Sequence, residues 1–315
     1  MVALANAVRF FVVFTVVAAP LSAYAEDPTA DKPTPPAAVA KETPAEKKAK
    51  YALPFAMRPA IAPNLVRIDA AVAMQETAST TSNILTAGGK PVADLGFYVR
   101  TGFISLSPDA GDSARAFTNP LLFALYTPEI APKIRLPIFF GVTAPIGSGG
   151  GDDPDKAKRA AVASGIYSRQ AMDNALFATN YLTTTAGIGI AWIDKGFTVQ
   201  TEMQLLQLMR TRGAAVDDDP ARTNFTSGVN LGYQIVKYLS ANVEVHYQRW
   251  LSTPAAVEKV PAARDQATYG AGLRANVPLS DTMIARPGIS YFRAFDEPMT
   301  TAKFQIVQID VPIAF

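Results

Sequence analysis

Lys303-Phe304-Gln305-Ile306-Val307-Gln308-Ile309-Asp310-Val311-Pro312-Ile313-Ala314-Phe315 alternates with a period of two. Val307, Ile309, Val311, Ile313 and Phe315 fall on one side; Gln308 and Asp310 fall on the other. Side chains at i and i+2 line one face of a β-strand, so this segment reads as a strand with one apolar and one polar face.

The same rule recurs up the chain. In 267–278 Tyr269, Leu273 and Val277 oppose Thr268, Arg274 and Asn276, and in 240–251 Val243, Val245 and Tyr247 oppose Glu244, His246 and Gln248. In 223–236 Val229, Leu231 and Tyr233 oppose Asn224, Asn230 and Gln234. Segments 65–74, 94–103, 133–144, 184–192 and 196–204 behave alike, and 80–88, 116–126 and 283–295 are weaker members. Leu121-Leu122-Phe123 is apolar on both faces. The set amounts to about twelve strands, an even number that returns both ends of an antiparallel membrane barrel to one side.

The links support that reading. Those at 87–93, 127–132, 194–196, 236–239 and 278–282 are short, whereas 106–115, 147–181, 212–222 and 252–266 are longer and polar, with 296–300 a short exception. Short turns at one end and long loops at the other describe an outer-membrane barrel, with the C-terminus and the short turns in the periplasm. A secreted β-sandwich also alternates. Against it stand strands near the roughly 9–11 residues a tilted spanning strand needs, and polar faces of Gly, Asn, Thr and Gln carrying both charges.

The N-terminal stretch reads as an export signal. Arg9 precedes the apolar run Phe10 to Ala19, and Ala23-Tyr24-Ala25 offers a small-x-small site before Glu26. That order predicts a signal peptide over 1–25, cleaved after Ala25. Residues 26–50 mix Pro, Ala, Lys and Glu, and read as a disordered linker. The barrel domain then occupies 51–315, and no later run of 18 apolar residues forms a membrane helix.

Composition narrows the chemistry. Among 315 residues there is no Cys and one His, and the net charge is +2. Disulfides, Cys-ligated zinc, iron–sulfur clusters and thiol nucleophiles are excluded, as are multi-His metal centres. The charge balance gives no footprint for nucleic acid. Asp152, Asp153 and Asp155, and Asp217 to Asp219, lack the ligand spacing and Gly of a calcium loop. They read as solvated charge, so no metal or cofactor is expected. His246 has Glu244 and Gln248 as its alternating neighbours rather than a Ser, and nothing in the sequence places a nucleophile beside it.

Taking the polar parity as inward, the lumen gathers Arg67, Arg100, Lys133, Arg135, Arg274 and Arg286 against Asp69, Asp94, Glu202, Glu244 and Asp310, with His246 among them. Two readings stand side by side: a charged constriction that selects solutes, or cross-strand pairs that plug a barrel smaller than the open porins. The 147–181 loop opens on Gly147-Ser148-Gly149-Gly150-Gly151. Its Ala-rich part, 157–180, suggests a short helix over or inside the mouth.

The terminal pattern Val307, Ile309, Val311, Ile313, Phe315 resembles the assembly signal of bacterial outer-membrane proteins. That resemblance implies recognition by the barrel-assembly machinery. Leu53-Pro54 through Met57-Arg58-Pro59, Asn119-Pro120 and Pro145-Ile146-Gly147 resemble small outer-membrane transporter barrels, in particular the group associated with phenol degradation by the MetA pathway. That resemblance implies a barrel for solute passage. The sequence therefore predicts a non-enzymatic, transmembrane antiparallel β-barrel in the bacterial outer membrane. It would sit in lipid and pass small solutes, with selectivity from lumenal charges and the 147–181 loop. A lipid-modifying enzyme and a closed structural or adhesive barrel are the alternatives.

Overall fold

The computed structural model describes residues 51–213 and 220–315. The signal-peptide and linker expectations for 1–50, and Asp217 to Asp219, lie outside the described residues.

The chain forms a closed antiparallel barrel of twelve strands. They are β1 (Leu65–Met74), β2 (Ala78–Val92), β3 (Leu95–Pro108), β4 (Ala114–Phe117 and Leu121–Tyr126), β5 (Ile134–Arg135 and Ile138–Thr143) and β6 (Tyr181–Asp194). There follow β7 (Phe197–Arg210), β8 (Ala221–Val236), β9 (Leu239–Trp250), β10 (Asp265–Ala275), β11 (Ile284–Ala285 and Gly288–Ala294) and β12 (Gln305–Ala314). Each pairs with the next. β12 returns to β1, with Leu65 opposite Ala314 and Met74 opposite Gln305, so no edge remains. Proline interrupts three strands. Pro120, Pro137 and Pro287 fall between the two pieces of β4, β5 and β11, where the missing N–H cannot serve the ladder.

The alternation seen in the sequence becomes a radial division. Along β7 and β8 every second side chain is buried inside the barrel, while Val199, Leu205, Val229 and Leu231 face out. Phe97, Phe140, Ile190, Trp192, Val243 and Ile289 continue the exposed apolar surface around the wall. A contiguous apolar surface of this extent is unsuited to water and matches the lipid-facing band of a membrane barrel.

Several strands run past their apolar stretches. β6 and β7 each have 14 residues, against nine in the segments 184–192 and 196–204 read from the sequence. Outside the hydrocarbon no solvent difference enforces alternation, so the pattern fades while the ladder continues. The link expected at 87–93 accordingly shrinks to Ala93-Asp94. Lys195 and Gly196 both have positive φ, the conformation of a tight hairpin whose twist suits the flanking strands. A second short link, 75–77 between β1 and β2, lies on the long-loop rim.

The long loop folds inward. α1 (Lys156–Ser168) starts at Asp155, whose side chain accepts the N–H groups of Ala157 and Lys158 at 2.9 and 3.2 Å. Such a cap satisfies donors that have no partner within the helix. α2 (Asn174–Phe177) follows. Ala161, Val162, Leu176 and Phe177 pack against Ile84, Ile104, Leu121, Leu125 and Phe139 of the wall. Fully burying a Leu or Phe contributes about 1.5–3 kcal/mol. This cluster explains why β4 is apolar on both faces: Leu122 meets lipid, while Leu121 and Phe123 meet the inserted segments.

A third helical turn, α3 (Ala255–Lys259), lies on the β9–β10 loop.

Candidate functional site

Residues 51–64 do not lead straight into β1. They enter the barrel at the short-turn rim, rise to mid-height, and return to that rim. Ala52 N–H donates to Thr198 Oγ1 at 3.1 Å and Tyr51 hydroxyl to Gln200 Oε1 at 3.0 Å. Arg274 donates to the carbonyl of Leu53 at 3.2 Å. At mid-height Glu244 accepts the N–H groups of Phe55 and Ala56, and the carbonyl of Phe55 accepts from Arg67 and Gln308. On the return, Ala60 N–H donates to the Tyr51 hydroxyl at 2.8 Å and Ala62 N–H to Thr127 Oγ1 at 3.1 Å. Burial pushes the Tyr51 phenol up despite the hydrogen bond from Ala60, so it stays a donor to Gln200. A strap whose main-chain groups are met by wall side chains satisfies the demand that buried polar groups be paired.

The ring of Phe55 lies where the wall has no side chains. A Cβ added to Gly272 would stand 2.5 Å from it, and one added to Gly288 2.7 Å. The Arg274 guanidinium covers it at 4.4 Å. These glycines make room for the strap.

Arg58 is held by β7 and β5. Its guanidinium donates to Glu202 at 2.6 Å and Gln204 at 2.7 Å, and lies 3.8 Å from the centre of the Phe139 ring. Its N–H donates to Glu202 at 3.1 Å, and its carbonyl accepts from Gln200 at 2.7 Å.

From the opposite rim the inward loop is held by charge. Asp173 accepts from Arg100 of β3 at 2.5 and 2.8 Å and from Arg169 at 3.0 Å, and Arg169 also donates to Gln308 at 3.2 Å. Burial alone would raise the Asp173 carboxyl. The two guanidinium groups outweigh that and hold it well below the usual carboxylate range. Asn119, in the break of β4 and fully buried, supports the loop from the wall. Its N–H donates to Leu176 carbonyl, its side-chain nitrogen to Ala178 carbonyl at 2.7 Å, and its side-chain oxygen accepts from Gly147.

Strap and loop meet near mid-height. There a cavity of about 40 Å³ remains, bordered by Phe55, Arg58, Arg67, Asp69, Tyr98, Arg100 and Arg169.

The structure separates the residues expected in the lumen. Arg67, Asp69, Arg100, Glu202, Glu244, His246, Arg274 and Asp310 are buried inside the barrel. Asp310 bridges Arg67 at 2.8 Å and Arg274 at 2.9 Å, and Arg67 also pairs with Asp69 at 2.7 Å. His246 Nε2 lies 3.0 Å from Glu244 Oε2, and among the described residues its Nδ1 has no hydrogen-bond partner. Asp94, Lys133, Arg135 and Arg286 stand instead at the short-turn rim. Arg135 pairs there with Asp94 at 3.0 Å, and the exposed Lys133 with Asp194 at 3.1 Å. Asp94 and Lys133 lie in turns, and Arg135 and Arg286 beside the breaks at Pro137 and Pro287, where the parity of a continuous strand does not hold.

The acidic segment at 152–155 has structural work: Asp152 meets Asn180 at 2.6 Å, Asp153 accepts from Gly149 and Asp155 N–H groups, and Asp155 caps α1. Val307, Val311 and Ile313 lie on the outward side of β12 with Ile309, and Phe315, exposed, follows the end of the strand. Strand parity sets Gln200 and Gln204 on the polar face of 196–204 with Glu202, but gives no sign of Arg58, Phe139, Arg169 or Asp173 as groups that hold the inserts.

No protein-family model matches the chain, and no curated protein sequence matches it. Among solved structures, the chain is similar to the COG4313 outer membrane channel from Pseudomonas putida F1, with 12% identity, a TM-score of 0.52, and coverage of 83% of this chain and 98% of that one. The KdgM porin (10% identity, TM-score 0.46, 79% and 99% covered) and the NanC porin (6%, 0.47, 79% and 98%) also align. At such identities the likeness to the COG4313 channel is one of fold: the chain has the architecture of a bacterial outer-membrane β-barrel.

Proposed function

We propose that the protein is an outer-membrane channel for small solutes, closed at rest by the strap from one rim and the 147–180 loop from the other. The observation that carries this reading is how the strap is held. Wall side chains bind its main chain and Arg58 by hydrogen bonds and charge. The neutral groups among them can exchange a peptide for water or a polar solute, since a typical hydrogen bond contributes only about 0.5–1.5 kcal/mol net, and Glu202 can exchange Arg58 for another cation. Outer-membrane lipid, the assembly machinery acting on the final strand, and a small solute are the partners in this reading. His246 serves as a lumenal polar group rather than a catalyst.

Kinship with the phenol-degradation group is part of the same proposal. It is supported by where the shared motifs fall: Leu53-Pro54 and Met57-Arg58-Pro59 in the strap, Asn119-Pro120 and Gly147 at the loop anchor.

Planar-bilayer recording tests the channel. The intact chain is expected to show rare or very small conductance steps, and a chain lacking residues 51–60 and carrying Asp173→Asn, which frees both inserts, frequent and larger ones. Absence of conductance from that altered chain, shown to be folded, would overturn the reading in favour of a closed structural barrel.

A further inference from the structure

Arg58 is bound as a ligand would be. Inward positions 200, 202 and 204 of β7 present Gln200, Glu202 and Gln204 at a spacing of two. Glu202 and Gln204 take the two terminal nitrogens of the guanidinium, and Phe139 lies against the group. Two acceptors matched to a planar fork, backed by an aromatic ring, favour guanidinium over the compact ammonium of lysine. The wall also reads the main chain beside it, since Glu202 accepts the Arg58 N–H and Gln200 donates to the Arg58 carbonyl. Among the described residues, the ion-pair partner of Glu202 is Arg58. A buried carboxylate deprived of its cation is costly, so Glu202 favours an incoming cation over bare loss of Arg58.

A second observation points the same way. Asn230 and Asn242, on β8 and β9 beside this site, are 0% and 2% exposed, and among the described residues neither side-chain nitrogen nor oxygen of either has a hydrogen-bond partner. Buried amides are rarely left so, and a polar molecule moving along this wall would meet them.

We propose that the inner wall of β7–β9 is a binding site for solutes that carry a guanidinium next to an amide, such as arginyl peptides, and that Arg58 is its tethered occupant. The proposal rests on the reading of the barrel as a solute channel and names the class of solute. Such a solute would compete with Arg58 and favour the displaced strap, because it binds that state and not the closed one.

Arg58→Ala in the full chain tests it by removing the tethered group and leaving the acceptors. In calorimetric titration, arginine amide is expected to bind this variant at concentrations where the intact chain shows no binding, and about tenfold or more tighter than lysine amide. Adding Glu202→Gln should weaken binding by about tenfold or more, as expected for a hydrogen bond between charged groups. Equal binding of the two amides, or none to the folded variant, overturns the proposal. The absence of Cys from the sequence supplies a second readout that keeps Arg58. In Met57→Cys the new thiol is carried by the strap and buried against the barrel wall, and arginine amide should speed its labelling by maleimide several-fold while lysine amide does not. An unchanged rate also overturns the proposal. Conductance of the strap-deleted chain carrying Asp173→Asn, without arginine amide binding, would remove the site and leave the channel standing.

Discussion

Replacing Asp173 by Asn releases the inward loop. The substitution removes the shared anion of Arg100 and Arg169, whose side chains are 9% and 1% exposed. Two guanidinium groups then remain buried with their charge uncompensated. Breaking a buried pair from one side costs about 3–5 kcal/mol, most of it from the charge left behind. Thermal unfolding in detergent micelles should fall accordingly. Limited trypsin digestion should cut at Lys156, Lys158 or Arg159 in the variant and spare the intact chain. The same geometry fixes the pH dependence. The native Asp173 carboxyl titrates below its ordinary value, so its contribution is complete above the ordinary carboxylate range and is lost only as pH falls through the depressed native value. Protection of the loop from a protease active across the range should therefore be the same at pH 7 and pH 5. Opening of the loop on mild acidification would contradict the latch.

Adjacent residues on β8 are expected to respond in opposite ways. Val229 is 42% exposed on the outer face near the middle of the strand. Arginine there would face acyl chains, at a cost of about 2–4 kcal/mol at the midplane of a barrel. Asn230, one residue on, is buried inside with no side-chain partner among the described residues. Removing an unpaired polar group relieves a desolvation penalty, so Asn230→Ala should be close to neutral. Reversible unfolding into lipid vesicles measures both. Similar costs at the two positions would mean that the faces are not divided between lipid and lumen.

The wall was legible because one physical rule writes it. Lipid outside forces apolar residues onto every second position, and the period of two survives from β1 to β12. Strand ends were less legible, since Gly89, Lys90 and Arg210 lie where the solvent is the same on both sides. The inserts were the least legible. Nothing periodic marks Arg58, and Arg169 and Asp173 are four apart in a segment that otherwise reads as an Ala-rich loop. A signal was nonetheless present. Leu121, Phe123 and Leu125 put apolar side chains on the inward face of β4, as Leu206 and Leu208 do on β7. A water-filled lumen has no use for them. Strands apolar on both faces thus point to something packed inside, and here that is α1, α2 and the strap. The inward charges could be read in number but not in pairing. Arg67 and Arg274 share Asp310 because β1, β10 and β12 are brought together by closure and by the intervening β11.

The most direct test of the account is which tryptophan meets lipid. The sequence has two. Trp192 is 40% exposed on the outer face of β6, whereas Trp250, at the other end of the barrel, packs beside Leu206, Leu208 and Tyr181. Fluorescence of Trp192→Phe and Trp250→Phe should be compared in vesicles of ordinary lipid and of lipid brominated high on the acyl chain. Strong quenching of the variant that retains Trp192, and little of the one that retains Trp250, is the predicted result. Absence of quenching at Trp192 in the folded, vesicle-inserted protein would contradict a barrel whose apolar face is turned to lipid.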